Sequence, residues 1–324
     1  MASNEGIGFI GIGAMGWHMA TNIIRAGFDV SVADSNAAQR DRFVREHGGS
    51  AAGSLAELGK KVGVVITMLP TGQIVRSVLL EEEGGALAKS LRRGSVVIDM
   101  SSSEPTGTRR LAGDLKARGI TLVDAPVSGG VIGAEEARLT IMIGGDDEKA
   151  VARVTPILAA MGPRHFRTGG AGSGHAMKAL NNLMSGAGFI LMSEALVIGK
   201  RFGLDPTMMA NVINESTGRN HATANLANQE VISRRFGSKF MLGLMAKDVK
   251  IAADLAEDLK AHAPMARLVR DLWLRAREHV GAGEDHTSAV RYWEELNGVT
   301  LGPPEKAKGR AAIKGRARAK AKGP

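Results

Sequence analysis

The chain has 324 residues, of which 44% are hydrophobic and 23% charged, so it can bury a sizeable core and is not disordered by composition. It contains no cysteine, which excludes disulfides, thiolate metal sites and cysteine nucleophiles, and we expect a reducing, cytoplasmic location. The net charge of +9 is concentrated in 303–324, where eight Lys and Arg residues face one Glu, and the rest of the chain carries about +2.

Residues 6–34 carry the pattern of a dinucleotide-binding βαβ unit. An apolar run, Ile7–Ile10, is followed by G-x-G-x-x-G, a helical stretch and a second apolar run, Val30–Ala33. The first glycine permits a tight turn, the second lets the backbone approach a diphosphate, and the third lets helix and strand pack closely. We expect the diphosphate at the helix N-terminus, where free N–H groups favour anions. The predicted cofactor-binding residues of this unit are Gly11, Ile12, Gly13, Ala14, Met15, Gly16 and Asp34.

Asp34, which closes the second strand, predicts the type of cofactor. It lies 18 residues after Gly16, where an acid accepts hydrogen bonds from the adenosine ribose. A 2′-phosphate at this place would meet a like charge. No arginine follows directly, which favours NAD over NADP, although Arg40 one turn further on keeps NADP open.

Apolar runs and helical stretches alternate as far as residue 143. Further strands are predicted at 63–67, 96–99, 122–124 and 139–143. This alternation indicates a doubly wound parallel sheet that binds its cofactor at the carboxyl ends of the strands. Leu69, Pro70 and Ser102 follow two of these strands, and we expect them to line the nicotinamide side of the site.

A Ser-Gly-Gly loop follows the strand that ends at Asp124. Ser128, Gly129 and Gly130 can present a hydroxyl and backbone N–H groups to a carboxylate. The same residues can also form a simple turn, and the sequence alone leaves both interpretations open.

A single long helix is predicted at about 175–202. It follows four glycines in 169–174, is mostly apolar, and should be buried. Lys178 and Asn182 lie one turn apart on one face, where a buried amine and amide are costly unless paired or used. This face is therefore the candidate site of the chemistry. Serines and glycines interrupt the apolar run, so we expect no membrane span, and the N-terminus lacks the pattern of a signal peptide.

The second half of the chain is predicted to be helical and free of strands. Candidate helices lie at 206–215, 222–233, 242–262, 264–280 and 286–296. Lys247 and Asp248 lie near the start of the third of these, where such a pair on its own indicates a solvated face. The histidines do not form a metal-spaced cluster, and no metal site is expected.

Together these motifs resemble the β-hydroxyacid dehydrogenase family, which includes 3-hydroxyisobutyrate dehydrogenases and tartronate semialdehyde reductases. The resemblance covers about residues 5–298 and rests on GFIGIGAMGWHMA, MLP at 68–70, DAPVSGG at 124–130, GSGHAMKALNN at 172–182 and KD at 247–248. It implies an α/β fold with a Rossmann doubly wound sheet domain, a long interdomain helix and an all-α second domain. We therefore expect an NAD-binding domain at 1–168, a helical substrate and oligomerisation domain at 169–298, and a disordered basic tail at 299–324.

The resemblance also implies an activity and a site. It implies an NAD-dependent oxidoreductase that transfers a hydride between a small β-hydroxy acid and the cofactor, as a homodimer or homotetramer. The residues that it singles out are catalytic Lys178, Asn182 beside it, the substrate-carboxylate loop Ser128, Gly129 and Gly130, Lys247 near nicotinamide and substrate, and Asp248 as the partner of Lys247. Burial near Lys247 should lower the pKa of Lys178. His175 departs from the pattern, since a small residue is expected at its position.

Three alternatives remain open at this point. The substrate could be tartronate semialdehyde or a related aldehyde acid, which a substrate panel would distinguish. Imine reductases share the architecture, but Lys178 together with Asn182 argues against them. In a different class, the chain could be a non-catalytic dinucleotide-binding protein whose basic tail binds nucleic acid, for which the sequence offers only weak support.

Overall fold

The computed structural model describes residues 6–81 and 87–303. The chain divides into two compact units, Met1–Ala187 with Lys239–Glu284, and Gly188–Ser238 with Asp285–Pro324. The domain limits predicted from the sequence, 1–168 and 169–298, stay a proposal.

The C-terminal end of the described chain is packed. Leu301 is 3% exposed, and its N–H group donates to Glu294 Oε1 at 2.8 Å. Leu301 is therefore packed although it falls within the tail predicted at 299–324, and the limits of that tail stay a proposal. The remainder of the predicted tail, from residue 304, lies outside the described residues.

One nine-stranded sheet forms the centre of the first unit. Its strands are β1 (Ile7–Ile10), β2 (Val30–Ala33), β3 (Ser50–Ala51), β4 (Val64–Thr67), β5 (Val96–Asp99), β6 (Thr121–Asp124), β7 (Val127–Ser128), β8 (Thr140–Gly144) and β9 (Arg164–Gly169). The order is β3-β2-β1-β4-β5-β6-β8-β7, with β9 beside β8. The first six strands of this order are parallel, and β8 runs antiparallel to β6 and β7. The parallel part has the 3-2-1-4-5-6 order of a Rossmann fold, which confirms the predicted fold class.

The helices of the first part of the chain connect these strands. They are α1 (Ala14–Arg25), α2 (Ala37–His47), α3 (Leu55–Lys61), α4 (Gly72–Arg76), α5 (Leu87–Ser90), α6 (Pro105–Lys116), α7 (Gly130–Glu135) and α8 (Glu148–Ala159), with a π-helical stretch at Ser77–Glu81. Strands β1, β4 and β5 are buried along their whole length, because helices cover both faces of the sheet. The predicted strands β1, β2 and β5 have the bounds that the sequence indicated.

The rest of the described chain is helical. It contains α9 (Ser173–Phe202), α10 (Pro206–Asn214), α11 (His221–Asn225), α12 (Leu242–Asp258), α13 (Pro264–Val280) and α14 (Val290–Asn297). The helix predicted at 222–233 is instead divided into α11 and a π-helical stretch, Ala227–Ile232, at Leu226, whose φ of −120° interrupts the helix. The helix predicted at 286–296 starts with a 3₁₀ turn, His286–Ala289.

Three strands were not predicted, and each lacks an apolar run. β3 and β7 have only two residues each. β9 has the sequence RHFRTG and lies largely exposed beside β8, so its pairing rests on backbone hydrogen bonds rather than on a buried face.

Helix α9 meets, by length and composition alone, the test for a helix that could cross a membrane, with a mean hydropathy of 1.4 in its most apolar window. The expectation that serines and glycines break this run was wrong, because these residues lower the mean hydropathy only slightly. Half of the window is buried inside the protein, and core helices of soluble proteins pass the same test. The result is therefore weak support for a membrane span.

Candidate active site

The glycine-rich turn between β1 and α1 has the geometry that a diphosphate requires. Gly11 has a φ of +92°, and a Cβ there would collide with the carbonyl oxygen of Met68. A Cβ on Gly16 would collide with the carbonyl oxygen of Gly11, so helix and turn touch through backbone. At Gly13, by contrast, a Cβ would meet nothing within 4 Å, and no side chain caps α1. The N–H groups at the start of α1 are therefore open to an anion, and these residues fit a dinucleotide cofactor.

Asp34 fixes the backbone around this turn. Its Oδ2 accepts from the N–H of Ile12 at 2.9 Å, and its Oδ1 accepts from the N–H of Asn36 at 2.8 Å. Each oxygen keeps one lone pair for a ribose hydroxyl. Arg40, the cation that kept NADP open, pairs with Asp41 at 2.8 Å and donates to the carbonyl oxygen of Ala52 at 3.3 Å. This arginine is therefore engaged within the protein.

Lys247 connects α12 to two loops at the carboxyl edge of the sheet. Its Nζ donates to the carbonyl oxygens of Pro70 at 3.0 Å and Ser102 at 3.1 Å, which follow β4 and β5. It also lies 3.2 Å from Asp248 Oδ1. The structure thus brings together the predicted residues Lys247, Asp248, Pro70 and Ser102. Leu69, next to Pro70, is held by its N–H group, which donates to Ser101 Oγ at 2.9 Å.

Asn182 and Asp248 join α9 to α12. Asn182 Nδ2 donates to Asp248 Oδ2 at 2.6 Å, and both residues are buried. Asp248 Oδ1 is also buried and faces Lys247 without accepting a well-directed hydrogen bond. One hydrogen of the Asn182 amide is committed to Asp248, which leaves the second for another acceptor.

Lys178 lies one turn before Asn182 on α9. The side chain of Lys178 is half-buried. Burial is the largest cause that lowers the pKa of Lys178; the Asp248 carboxylate acts in the opposite direction, and the Lys247 ammonium lowers the pKa further. An amine with a lowered pKa can exchange a proton closer to neutral pH than an ordinary lysine.

The Ser-Gly-Gly loop has backbone angles that explain its glycines. Gly129 has a φ of +135° and Gly130 a φ of +62°, both in the region that glycine adopts without strain. Ser128 belongs to β7 and pairs with Thr140 of β8, and the two glycines are exposed. Within the described residues, no hydrogen bond joins this loop to the lysines, so its place in the site stays a prediction.

Sequence reasoning assigned no role to a buried polar cluster at the start of α9. Asp124, the last residue of β6, accepts from the N–H groups of Gly172 at 2.8 Å and His175 at 2.9 Å. The carboxylate therefore caps the helix that carries Lys178 and Asn182. The sequence does show an acid at the end of a strand and, some fifty residues later, the glycine-rich start of a helix. Their spacing in the chain does not predict that the Asp124 carboxylate accepts from the N–H groups of Gly172 and His175.

Two family models match the chain. Residues 6–170 match the model described as the NAD binding domain of 6-phosphogluconate dehydrogenase. Residues 172–293 match the model described as NAD-binding of NADP-dependent 3-hydroxyisobutyrate dehydrogenase.

Relatives of known activity and a solved structure are similar over nearly the whole chain. The chain is 33% identical to the 2-(hydroxymethyl)glutarate dehydrogenase of Eubacterium barkeri, over 91% of this chain and 97% of that protein. It is 35% identical to the NAD-dependent L-serine dehydrogenase of Pseudomonas aeruginosa, over 90% of this chain and 99% of that protein. The structure of Mycobacterium tuberculosis 3-hydroxyisobutyrate dehydrogenase with L-serine superposes with a TM-score of 0.80 at 30% identity, over 89% of this chain and 99% of that one.

The Rossmann fold and the glycine-rich turn indicate a dinucleotide-binding enzyme. The two family models, which match residues 6–170 and 172–293, indicate the same kind of enzyme for both halves of the chain. The relatives are dehydrogenases that act on CH–OH groups. The chain therefore belongs to the β-hydroxyacid dehydrogenase family and is an NAD(P)-dependent oxidoreductase that interconverts a hydroxy acid and its oxo form.

Proposed function

We propose that this enzyme interconverts a small β-hydroxy acid and its semialdehyde with NAD, in the manner of 3-hydroxyisobutyrate dehydrogenase. The observation that carries the proposal is the position of Lys178. Its side chain is half-buried, burial lowers the pKa of its amine, and it shares a helix face with Asn182, which is fixed to Asp248 at 2.6 Å. A purely structural lysine in such surroundings would be costly.

Lys178 would exchange the proton of the reacting oxygen. Bound NAD would supply the hydride acceptor in its nicotinamide ring. In oxidation, the neutral amine of Lys178 takes the proton of the substrate hydroxyl as the carbonyl forms. In reduction, the ammonium returns that proton to the carbonyl oxygen. The free N–H of Asn182 donates to the same oxygen and holds it beside the amine.

The other predicted residues would place the substrate and tune the amine. Ser128 and the N–H groups of Gly129 and Gly130 would bind the substrate carboxylate, which fixes the carbinol carbon. Lys247 directs its ammonium at Pro70, Ser102 and Asp248, so it acts by holding the loops on the nicotinamide side and by lowering the pKa of Lys178.

A substrate screen followed by a pH profile tests the function. NAD reduction would be measured with 3-hydroxyisobutyrate, L-serine, 2-(hydroxymethyl)glutarate, glycerate and an unbranched β-hydroxy acid, with tartronate semialdehyde and NADH for the reverse direction. Because the neutral amine is the active form in oxidation, kcat/KM for the best hydroxy acid should rise with pH through a pKa below 10.5 and then level off. In reduction, it should fall over the same range. The absence of activity on every acid would contradict the proposal.

Asp34 is proposed to set the preference for NAD over NADP, although one matching family model is described as NADP-dependent. Its carboxylate faces the position of the adenosine ribose and would repel a 2′-phosphate. We expect Asp34→Asn to raise the NADP/NAD ratio of kcat/KM by about tenfold or more, which corresponds to about 1.4 kcal/mol. Asn keeps an oxygen for the Ile12 N–H group, and the Asn36 N–H group that loses its acceptor is exposed and can bind water, so the turn should survive. Asp29→Asn, on an exposed carboxylate directly before β2 and at the opposite end of that strand, serves as the control and should leave the ratio unchanged. An unaltered ratio in Asp34→Asn would refute the assignment.

We also propose a homo-oligomer, a dimer or a tetramer, in the cytoplasm. Helix α9 leaves four apolar side chains exposed at seven-residue intervals: Met177 at 42%, Met184 at 75%, Leu191 at 57% and Ile198 at 68%. This spacing gives one continuous stripe, of the kind that a second copy of the chain can cover. Sedimentation of the purified enzyme at micromolar concentration would show the number of chains, and a monomer would contradict the proposal.

A further inference from the structure

Three titratable side chains lie buried together beneath the candidate site, and the proposed mechanism uses none of them. Asp99, Asp124 and His175 are each at most 1% exposed. Asp99 and Asp124 are the last residues of β5 and β6, whereas His175 lies in the first turn of α9. A buried cluster of this kind is costly unless its contacts serve the structure or the site.

The backbone donors and hydroxyls around the cluster satisfy both carboxylates. Asp99 accepts from the hydroxyls of Thr67 at 2.9 Å and Ser103 at 2.8 Å, and from the N–H group of Ser101 at 3.0 Å. Gly172, directly before α9, and His175, in its first turn, supply the donors of Asp124, as described above. The carboxyl edge of the sheet is thereby connected to the start of α9.

The imidazole of His175 completes this connection. Its Nδ1 lies 2.8 Å from Thr108 Oγ1, which is itself 3.1 Å from the carbonyl oxygen of Glu104. Since the carbonyl can only accept, the Thr108 hydroxyl donates to Glu104, and His175 Nδ1–H donates to Thr108. The opposite edge of the ring places Nε2 3.6 Å from Asp99 Oδ2, too far for a hydrogen bond. The ring of His175 thus lies beside Asp99 of β5 and bonds to Thr108 of α6, while its backbone N–H group donates to Asp124 of β6.

His175 precedes Lys178 by three residues, so the two lie on adjoining parts of the same helix face, about 4.5 Å apart along the axis. The glycine-rich start of α9 offers little stiffness of its own, since Gly169 and Gly172 have φ of +127° and +82°. Any rotation of the first turn would swing the long lysine side chain by more than the displacement of the backbone. Misplacement of a reacting group by about 1 Å can cost about 100-fold in rate.

We propose that His175 is a positioning residue for this reaction, which fixes the first turn of α9 against α6 and the sheet and so places Lys178 at the reacting oxygen. The inference rests on the proposed role of Lys178. It concerns turnover rather than cofactor affinity, because in the described part of the chain no hydrogen bond joins the glycine-rich turn or Asp34 to Asp99, Asp124 or His175.

The test compares substitutions that remove and restore the Nδ1 donor. We expect His175→Leu to lower kcat by about tenfold or more while the KM for NAD stays within about twofold. His175→Asn presents an amide N–H near the position of Nδ1 and should recover most of the loss. His165→Leu is the matched control, since His165 also makes one ring hydrogen bond, at 2.8 Å to the carbonyl oxygen of Gly162, but lies on β9. It should keep the parent kcat.

The deuterium isotope effect distinguishes positioning from a loss of folded enzyme. With the best hydroxy acid deuterated at its carbinol carbon, His175→Leu should show an isotope effect on kcat at least as large as the parent, because hydride transfer becomes slower. Unfolding would only reduce the number of active sites. A His175→Leu enzyme with the parent kcat, or an Asn variant no better than the Leu variant, would overturn the proposal.

A second variant keeps the test decisive if His175→Leu does not fold. Thr108→Val removes the acceptor and leaves the imidazole in place, and it should lower kcat in the same direction without changing the KM for NAD. A parent kcat in Thr108→Val would then overturn the proposal. Since every variant is compared with an active parent, failure here leaves the proposed function intact, whereas an inactive parent would refute that function itself.

Discussion

Lys178→Met should abolish turnover and, at the same time, stabilise the protein. Loss of the only proposed proton donor and acceptor should lower kcat by about 10³-fold or more, near the upper part of the range for general acid–base catalysis. NADH binding, measured by fluorescence titration, should stay nearly unchanged because the proposed diphosphate and ribose contacts are made by the glycine-rich turn and Asp34, which this substitution leaves in place. Loss of NADH binding would mean that the lysine has a structural role.

The gain in stability follows from the lowered pKa of Lys178. Burial lowers this pKa in the folded state, so between the folded value and 10.5 the unfolded chain binds more protons and the stability of the parent rises with pH. Below the folded pKa, the parent carries the full cost of its buried amine, which methionine does not have. The difference in Tm between Lys178→Met and the parent should therefore be largest at low pH and shrink as the pH rises toward 10.5.

Two variants serve as controls for this experiment. Lys178→Arg keeps a charge that cannot be removed, so it should be inactive and less stable than the methionine variant. Lys250→Met removes an exposed lysine of α12 that pairs with Asp254, and it should change the unfolding free energy by no more than about 0.5 kcal/mol at any pH. A Tm of Lys178→Met that lies below the parent at pH 6 would contradict the claim that the buried amine is costly.

Local patterns were enough to predict the cofactor half of the molecule. The G-x-G-x-x-G turn and Asp34 lie within one βαβ unit, so their spacing in the chain fixes their spacing in space. Apolar runs predicted β1, β2, β4, β5 and β6 because the faces of these parallel strands are largely buried, whereas the exposed parallel strand β3 was not predicted. The edge strand β9, with an exposed and charged sequence, carries no such signal.

The catalytic half depends on contacts between distant parts of the chain. The helical period placed Lys178 and Asn182 on one face, but Asp248, 66 residues after Asn182, pairs with it only because α9 packs on α12. Spacing in the sequence does not determine such packing, and Lys247 with Asp248 indicated no more than a solvated pair. The resemblance to a family singled them out. The hydrogen bonds of Lys247 to the carbonyls of Pro70 and Ser102 were visible only in the structure.

Asp124→Asn should destabilise the protein far more than the same change at another helix cap. Asp124 is fully buried, and each of its oxygens accepts one backbone N–H group, from Gly172 directly before α9 and from His175 in its first turn. An asparagine has one oxygen, so its amide would face the second N–H group, donor against donor. Leaving a buried donor unsatisfied costs about 1–3 kcal/mol, and we expect a loss of about 2 kcal/mol or more in the unfolding free energy.

Asp147→Asn is the matched control for this prediction. Asp147 caps α8 in an exposed position and also accepts two backbone N–H groups, from Lys149 at 2.9 Å and Ala150 at 3.1 Å. Both bonds end on one oxygen, Oδ1, which asparagine can supply equally well, and asparagine and aspartate are comparable helix caps. Thermal unfolding of this variant should therefore match the parent within about 0.5 kcal/mol. The two carboxylates accept the same number of backbone hydrogen bonds. A larger loss of unfolding free energy in Asp124→Asn would therefore come from the burial of Asp124 and from its use of both carboxylate oxygens. Equal losses at the two sites would show that Asp124 does not hold the start of α9 in this way.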